Sequence, residues 1–380
     1  MRLLINAISI KKGGSLVVLK ELIKSFSESS KSSIIYVVIN SKLEKFFNSN
    51  SNVKFIYFKN IDMIPFGIFI YYEFLIRNLI QKYSIDVLFS ITNYLPIIRL
   101  KCSTLLLQQH AGHFSKEFNY LTKKELRFKY QKLIWDFKTM WVERSIKIAD
   151  MVTVQTDTLK RKIIQKCKID NQKIEVIPHG NGLIKKIGKA KIWSKKKVWT
   201  LGFISLYGVQ KNFNVLFQAL DLLYLDGYSI KLILTLKKDN HSVIRLISDI
   251  ENSHLSDFIE NYEDLSEKDI RHLYKKIDIF VFPSLLESFG FPIVESMANA
   301  IPLIVSDISS NLEVSGTAGI SFRRNDPNHL ASIIKKLINQ KEYYEKASQL
   351  SSKRAKYYSW DRTGHKILDL ISRTIKIKNL

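Results

Sequence analysis

IFVFPSLLESFGFPIVE, residues 279–295, opens on four consecutive apolar residues, passes through a turn and enters a segment of helical spacing. Four apolar residues without alternation mark a strand buried on both faces, as in parallel sheets covered by helices. Gly290 permits close backbone approach, and Pro292 suits the first turn of a helix. The stretch is therefore predicted to be a strand, a turn and a helix start. A helix N-terminus behind a glycine turn offers unpaired N–H groups and a positive dipole end to an anion such as pyrophosphate. Glu295 falls about one turn into that helix, where its carboxylate can accept hydrogen bonds from a diol. Glu287, in the loop before it, is suited to sugar hydroxyls or a developing positive charge. The plainer alternative is a strand–turn–helix junction with solvated glutamates. Two carboxylates with Gly and Pro between them weigh against it.

The same alternation extends along the whole chain, the pattern of parallel α/β sheets. In the first half the strand candidates are 3–8, 34–39, 53–58, 87–91, 104–107, 151–154 and 174–177, with helical patterns at 15–26, 69–82 and 116–148. In the second half they are 198–204, 230–236, 279–282, 303–305 and 320–322, with helices at 212–225, 267–276, 292–300 and 327–340. A basic stretch with Gly180, Gly182, Gly188 and Lys195 to Lys197 separates the halves and reads as a linker. The expected architecture is α/β: two doubly wound, Rossmann-like domains at 1–182 and 198–358, a linker at 183–197, and a last amphipathic segment within 359–380. Such sheets bind ligands at the carboxyl ends of their strands.

The 380 residues are 46% hydrophobic and 25% charged, which excludes a disordered, collagenous or coiled-coil chain. Cys102 and Cys167 are the only cysteines and lack CxxC spacing, so neither a disulfide framework nor a cysteine zinc site is expected. The net charge is +24, and residues 1–182 hold 29 basic against 14 acidic side chains. That field favours anionic partners: nucleic acid, an acidic membrane surface or phosphate-bearing substrates. The N-terminus lacks the features of a secretory leader. The most apolar segment, 63–76, contains Pro65 and Glu73 and falls short of the ~20 residues a spanning helix needs. A cytoplasmic protein is expected.

Three further constellations stand out. GFISLYGVQKN at 202–212 follows the second domain's first strand, with Ser205 in the turn and Lys211 at the expected helix start. A cation there opposes the helix dipole, and a bound phosphate would reverse that balance. Gly13-Gly14 follows the first strand, where glycines allow close contact with a ligand phosphate. His110 and His113 follow the strand at 104–107, suited to hydrogen bonding or proton handling. Histidine and acidic spacings give no metal clamp, so no metal or other cofactor is expected. No GxSxG elbow occurs either.

At Ser284 to Glu295 the residues resemble the E-x7-E signature of retaining GT-B glycosyltransferases of the group 1 (GT4) type, with Ser288 where glycine is usual. The similarity extends to Gly13-Gly14, to IPHG at 177–180, to Lys211-Asn212, to LSEKDIRHLYKKID at 265–278, to SDISSNLEV at 306–314 and to YSW at 358–360. The resemblance implies two domains facing across a cleft, a nucleotide-sugar donor on the C-terminal one, an acceptor on the N-terminal one, and a final helix crossing back. It implies ribose binding by Glu295, contact with the donor sugar by Glu287, and pyrophosphate contact by Ser288, Phe289, Gly290 and Lys211, with Gly14 also on the donor side. Glu287, Lys211 and His110 become the expected catalytic residues, and Gly13, His110 and His113 the acceptor-side residues. The arginine common in relatives after the strand glycine is missing, which leaves phosphate charge to Lys211, the helix N-terminus and Ser205.

The expected activity is thus metal-independent retaining sugar transfer to a glycan or a polyprenyl-diphosphate-linked acceptor in surface-polysaccharide assembly, such as O-antigen or capsule. A GT-B enzyme of another activity, an epimerase or phosphorylase, is one rival. A nucleic-acid-binding protein is another, motivated by the charge but lacking any recognition motif. Aromatic and basic residues interleave over 114–141, including Lys116, Lys123, Lys124, Arg127, Lys129, Lys132 and Lys138. They read as a basic face over an aromatic core, suited to salt-reversible attachment at an anionic bilayer.

Overall fold

Two parallel sheets organise the chain in this computed structural model, which describes residues 1–29, 33–59, 61, 67–125 and 128–378. The first holds β1 (Arg2–Asn6), β2 (Ile34–Asn40), β3 (Val53–Phe58), β4 (Val87–Ser90), β5 (Ser103–Leu107), β6 (Met151–Val154) and β7 (Ile174–Val176). Their order is β3-β2-β1-β4-β5-β6-β7. The second holds β8 (Trp199–Phe203), β9 (Ile230–Leu234), β10 (Ile259–Asn261), β11 (Ile279–Phe282), β12 (Leu303–Ser306) and β13 (Gly319–Phe322), in order β10-β9-β8-β11-β12-β13. Both are doubly wound. The chain steps outward from β1 or β8, returns beside it, and continues the other way, so switch points fall between β1 and β4 and between β8 and β11. Crevices at the carboxyl ends of strands flanking such points are where open α/β sheets take ligands.

The apolar runs become buried strands for the expected reason. All four residues of β11 are fully buried, as are Val87, Leu88 and Phe89 of β4. Burying a side chain the size of Phe280 or Phe282 contributes roughly 1.5–3 kcal/mol, which fixes the strand that carries the loop at 283–290. In the register, Phe280 lies opposite Leu303 on one side and Gly202 on the other.

The chain divides into two compact units, Met1–Gly180 with Ser359–Leu380, and Asn181–Tyr358. The stretch 183–197, expected to be a linker, belongs to the second unit. Gly188 N–H donates to Ala298 O at 2.7 Å, Lys191 N–H to Ser348 Oγ at 2.6 Å, and the Trp193 indole to Ile338 O at 2.9 Å. Its glycine- and lysine-rich composition hides these bonds. The helix Trp360–Lys378 is part of the first unit. Thr363 Oγ1 donates to Pro178 O, Arg373 pairs with Glu175, and the Lys378 ammonium reaches Leu100 O, Cys102 O and Asp150 Oδ2.

Other departures are local. β10 was not anticipated, because its three residues carry too little pattern and owe their conformation to pairing with β9. The helices His241–Glu251, Ser309–Ser315 and Lys341–Ala355 were also missed. The pattern at 69–82 contains a π turn over Tyr71–Leu75. The pattern at 116–148 forms two helices, Lys116–Glu125 and Lys129–Ile148; Arg127 lies outside the described residues, as does Pro65.

Candidate functional site

The two loops that the sequence singles out in the second half flank one switch point. Residues 204–212 follow β8 and residues 283–290 follow β11. They are zipped together: Gln210 O accepts the Leu285 N–H at 2.7 Å. Ser205 is held by its N–H to Thr235 Oγ1 at 3.1 Å, across to the end of β9. Lys211 does not open the helix as expected. The helix is Phe213–Leu225, capped by Asn212 in a left-handed conformation, and Lys211 sits in the preceding turn with its N–H on Gly208 O.

This turn carries the Lys211 ammonium to Glu287 Oε1 at 2.6 Å. Their side chains are 11% and 12% exposed, and the ammonium also lies 5.0 Å from the centre of the Phe282 ring. The negative charge that sequence reasoning assigned to a phosphate is met here by Glu287. The same carboxylate oxygen accepts from Ser284 Oγ at 2.7 Å. Behind it a buried polar chain continues, with Ser306 Oγ donating to Ser284 O and Asn311 Nδ2 to Ser306 Oγ. Sequence reasoning quoted Ser284, Ser306 and Asn311 within motifs but gave them no role. Their signal is a serine at or just past the end of each of two buried strands, with Asn311 in the helix that follows the second.

Gly290 adopts φ +81, the left-handed region that favours glycine, and leads the helix Phe291–Ala298. Ser288 is half-buried beside Glu287. Phe289 is buried edge-on to Phe291 and Tyr358. The loop thus positions the backbone of 288–290 ahead of a helix N-terminus while its aromatic side chain anchors it below.

Glu295 is only 6% exposed. Its Oε1 accepts the Leu183 N–H at 2.9 Å, and its Oε2 accepts the Tyr274 hydroxyl at 2.8 Å. Burial raises its carboxyl above the usual range, while those two donors pull the other way. A carboxylate oxygen can accept more than one hydrogen bond. Tyr274 and the 182–183 turn were missed as its partners. Gly182 has φ +57, and a Cβ there would lie 2.3 Å from Glu295 Oε1, so only glycine lets this turn approach.

In the first unit Gly13 adopts φ +72 and Gly14 begins the helix Gly14–Ser29, beyond the end of β1. His110 and His113 follow β5. The His110 side chain is exposed, with Nδ1 accepting the Gly112 N–H at 3.2 Å. His113 is 4% exposed, stacked on Trp135 at 4.7 Å and bonded to Thr139 Oγ1 at 3.0 Å. Burial first, then the neighbouring His110, Lys166 and Lys138, push His113 down to about 3. Of the two, only His110 is placed to meet a partner directly, while His113 packs behind it at 4.9 Å between rings.

The part of the chain that carries these loops matches a known family. Residues 185–354 match the glycosyl transferases group 1 model. The second unit is a domain of that family. Over 95 residues the chain is 33% identical to O-antigen chain mannosyltransferase B of Escherichia coli, covering 25% of each protein. Over 197 residues it is 25% identical to O-antigen chain mannosyltransferase RfbU of Salmonella typhimurium, covering 52% of this chain and 53% of that one. These matches therefore span between a quarter and about half of the relatives' length. In fold, the chain is similar to Anabaena Alr3699/HepE, solved with UDP and glucose, at TM-score 0.71 and 17% identity over 98% of this chain and 100% of that one. The architecture is the two-domain GT-B fold. Among the described residues, no helix is long and apolar enough to cross a membrane.

Proposed function

We propose that this chain is a metal-independent retaining glycosyltransferase that moves a sugar from a nucleoside-diphosphate sugar to a glycan or lipid-linked glycan in surface-polysaccharide assembly. The observation that carries the reading is the Lys211–Glu287 pair at the β8/β11 switch point, beside the helix that Gly290 leads. Breaking a sugar–diphosphate bond demands stabilisation of negative charge on the leaving group. Lys211 and the N–H groups of residues 288–290 supply it, with Ser205 at the edge. Glu287 serves the sugar, where positive charge develops, and Glu295 the ribose diol. Gly14, at the glycine turn of the first unit, is assigned to the donor by its suitability for close contact with a phosphate. On the acceptor side, Gly13 and His110 contact the incoming glycan, and His113 positions His110.

Retention follows if the acceptor hydroxyl attacks the face that the diphosphate leaves: the C–O bond to phosphate breaks, the new glycosidic bond forms, and the departing phosphate oxygen takes the hydroxyl proton. The O-antigen relatives favour a polysaccharide acceptor, the charge of residues 1–182 supports attachment at an anionic membrane face where a lipid-linked glycan would lie, and the missing recognition motif weighs against a specific nucleic acid. The test is a panel of nucleotide sugars, measuring nucleotide release with and without glycan acceptors, followed by the anomeric configuration of the product. Release that needs an acceptor and yields a retained anomer supports the reading. Turnover without an acceptor would move it to an epimerase or phosphorylase.

A further inference from the structure

The helix Lys129–Ile148 buries only Trp141, Val142, Ser145 and Ile146. Earlier in the same helix Tyr130, Leu133, Ile134, Phe137 and Met140 are exposed, Leu133 by 69% and Met140 by 64%. At 3.6 residues per turn these five fall within about 120° of arc, a single stripe. Trp141, one turn beyond Phe137 on the same arc, is where the protein covers the stripe, and a second inward arc lies opposite. Trp135 stacks on His113, and Thr139 bonds to it. A second exposed apolar group lies across the buried Trp141: Phe137 meets Trp141 at 5.9 Å and Trp141 meets Phe69 at 6.4 Å, and Phe69, Ile70 and Phe74 are exposed. Scattered exposed apolar residues are ordinary, but a joined row of large ones marks an interaction surface.

The sequence reading made the aromatic residues of this region a core beneath a basic face. Phe114, Phe118 and Trp141 are indeed buried, whereas Tyr120, Phe128, Tyr130 and Phe137 are not. The lysines are distributed around the stripe rather than over it, with Lys129, Lys132 and Lys138 on the helix itself. Arg77 and Arg144 lie nearby, bonded to the carbonyls of Ile98 and Ile97, and Ile98 is exposed as well. Residues 116–148 carry nine basic and four acidic side chains.

We propose that this stripe inserts into the acyl boundary of an anionic bilayer, the helix lying in the plane of the interface with its basic neighbours at the headgroups. A low overall hydropathy with an exposed apolar stripe flanked by lysines suits an interfacial helix. The charge pattern selects this occupant over a second copy of the chain. A two-fold contact sets the same patch against itself, so the lysines would meet lysines across it. The inference deepens the membrane part of the proposed function and changes its character: attachment has an apolar component that salt does not remove.

Flotation of the full chain with phosphatidylcholine vesicles, and with mixed phosphatidylcholine–phosphatidylglycerol vesicles, at low and at molar salt tests it. The expected result is binding to the mixed vesicles that persists at molar salt. A Leu133→Ser/Ile134→Ser/Phe137→Ser variant should lose the salt-resistant fraction by on the order of tenfold, keep the low-salt fraction, and melt like the parent. A Phe137→Trp reporter should be quenched by acyl-brominated lipid. Binding fully reversed by salt and indifferent to the triple substitution would overturn insertion while leaving electrostatic attachment standing. No binding to mixed vesicles at low salt would remove the membrane reading altogether. A parent that is dimeric without lipid and a triple variant that is monomeric would assign the stripe to self-association instead.

Discussion

Glu287→Gln is expected to tighten binding of a free nucleoside diphosphate and yet slow turnover. In the structure the Lys211 ammonium is held by Glu287 Oε1 at 2.6 Å, so a diphosphate must compete with a carboxylate for it. Glutamine keeps the shape and an oxygen for Lys211 and for Ser284 Oγ, while removing the competing charge. A hydrogen bond to a charged group contributes roughly 1.5–3 kcal/mol, so relief of the competition should strengthen diphosphate binding by about 10- to 150-fold. Turnover should fall in the same variant by about 100- to 1000-fold, the scale of losing one group that stabilises transition-state charge. Titration calorimetry with GDP and with UDP, on the parent, Glu287→Gln, Lys211→Ala and the double variant, provides the measurement. Lys211→Ala should weaken binding whether or not Glu287 is present. If Lys211→Ala weakens binding but Glu287→Gln leaves it unchanged or weaker, the competition argument fails while the phosphate role of Lys211 survives. If neither substitution matters, the phosphate role fails too.

Gly182→Ala should destabilise the second unit by at least about 1–2 kcal/mol, the cost of a left-handed non-glycine residue, and by more because the new Cβ would lie 2.3 Å from Glu295 Oε1; a thermal melt no lower than the parent's would refute this. Lys378→Ala removes the ammonium that joins Leu100 O, Cys102 O and Asp150, and should cost the first unit about 1.5–3 kcal/mol in urea unfolding. His113 and His179 are both pushed by burial from 6.5 down to about 3. The folded state therefore binds fewer protons than the unfolded chain. Their contribution is complete above pH 6.5 and is lost as pH falls toward 3, by up to ~1.4 kcal/mol per pH unit for each histidine. Melting temperatures between pH 7 and 5 should fall steeply, and less steeply in His113→Gln; equal slopes would count against burial as the cause.

The fold was legible wherever apolar runs were long enough to choose a state. β11 carries four apolar residues and β12 three before Ser306, and the loop after β11 follows from the turn chemistry of Gly290 and Pro292. β10 was not legible, because Ile259–Asn261 has no pattern of its own. The same contrast runs through the site. Glu287 and Lys211 were identified from types and spacing, yet nothing local says that a side chain at 211 pairs with one 76 positions later. That pairing exists because β8 and β11 are neighbours. Tyr274 and Leu183 escaped for the same reason, since they reach Glu295 only through tertiary packing. Exposure along 129–148 could not be read either, because a helix with apolar residues on two faces does not declare which one the protein covers.

The first unit is assembled from both ends of the chain, Met1–Gly180 and Ser359–Leu380, with the whole second unit between them. During synthesis its seven strands emerge early, but the helix Trp360–Lys378 that carries Thr363, Arg373 and Lys378 to their partners comes last. At about 5–20 residues per second, the intervening stretch occupies the ribosome for on the order of 10–40 s. Throughout that interval the surface that takes Ile367, Leu370 and Ile371, all buried in the finished protein, stands open. The nascent first unit is then a client for chaperones while the second unit folds ahead of it. A stop codon or frameshift between Tyr358 and Thr363 would leave a completed second unit joined to an unclosed first one, a product selected for degradation.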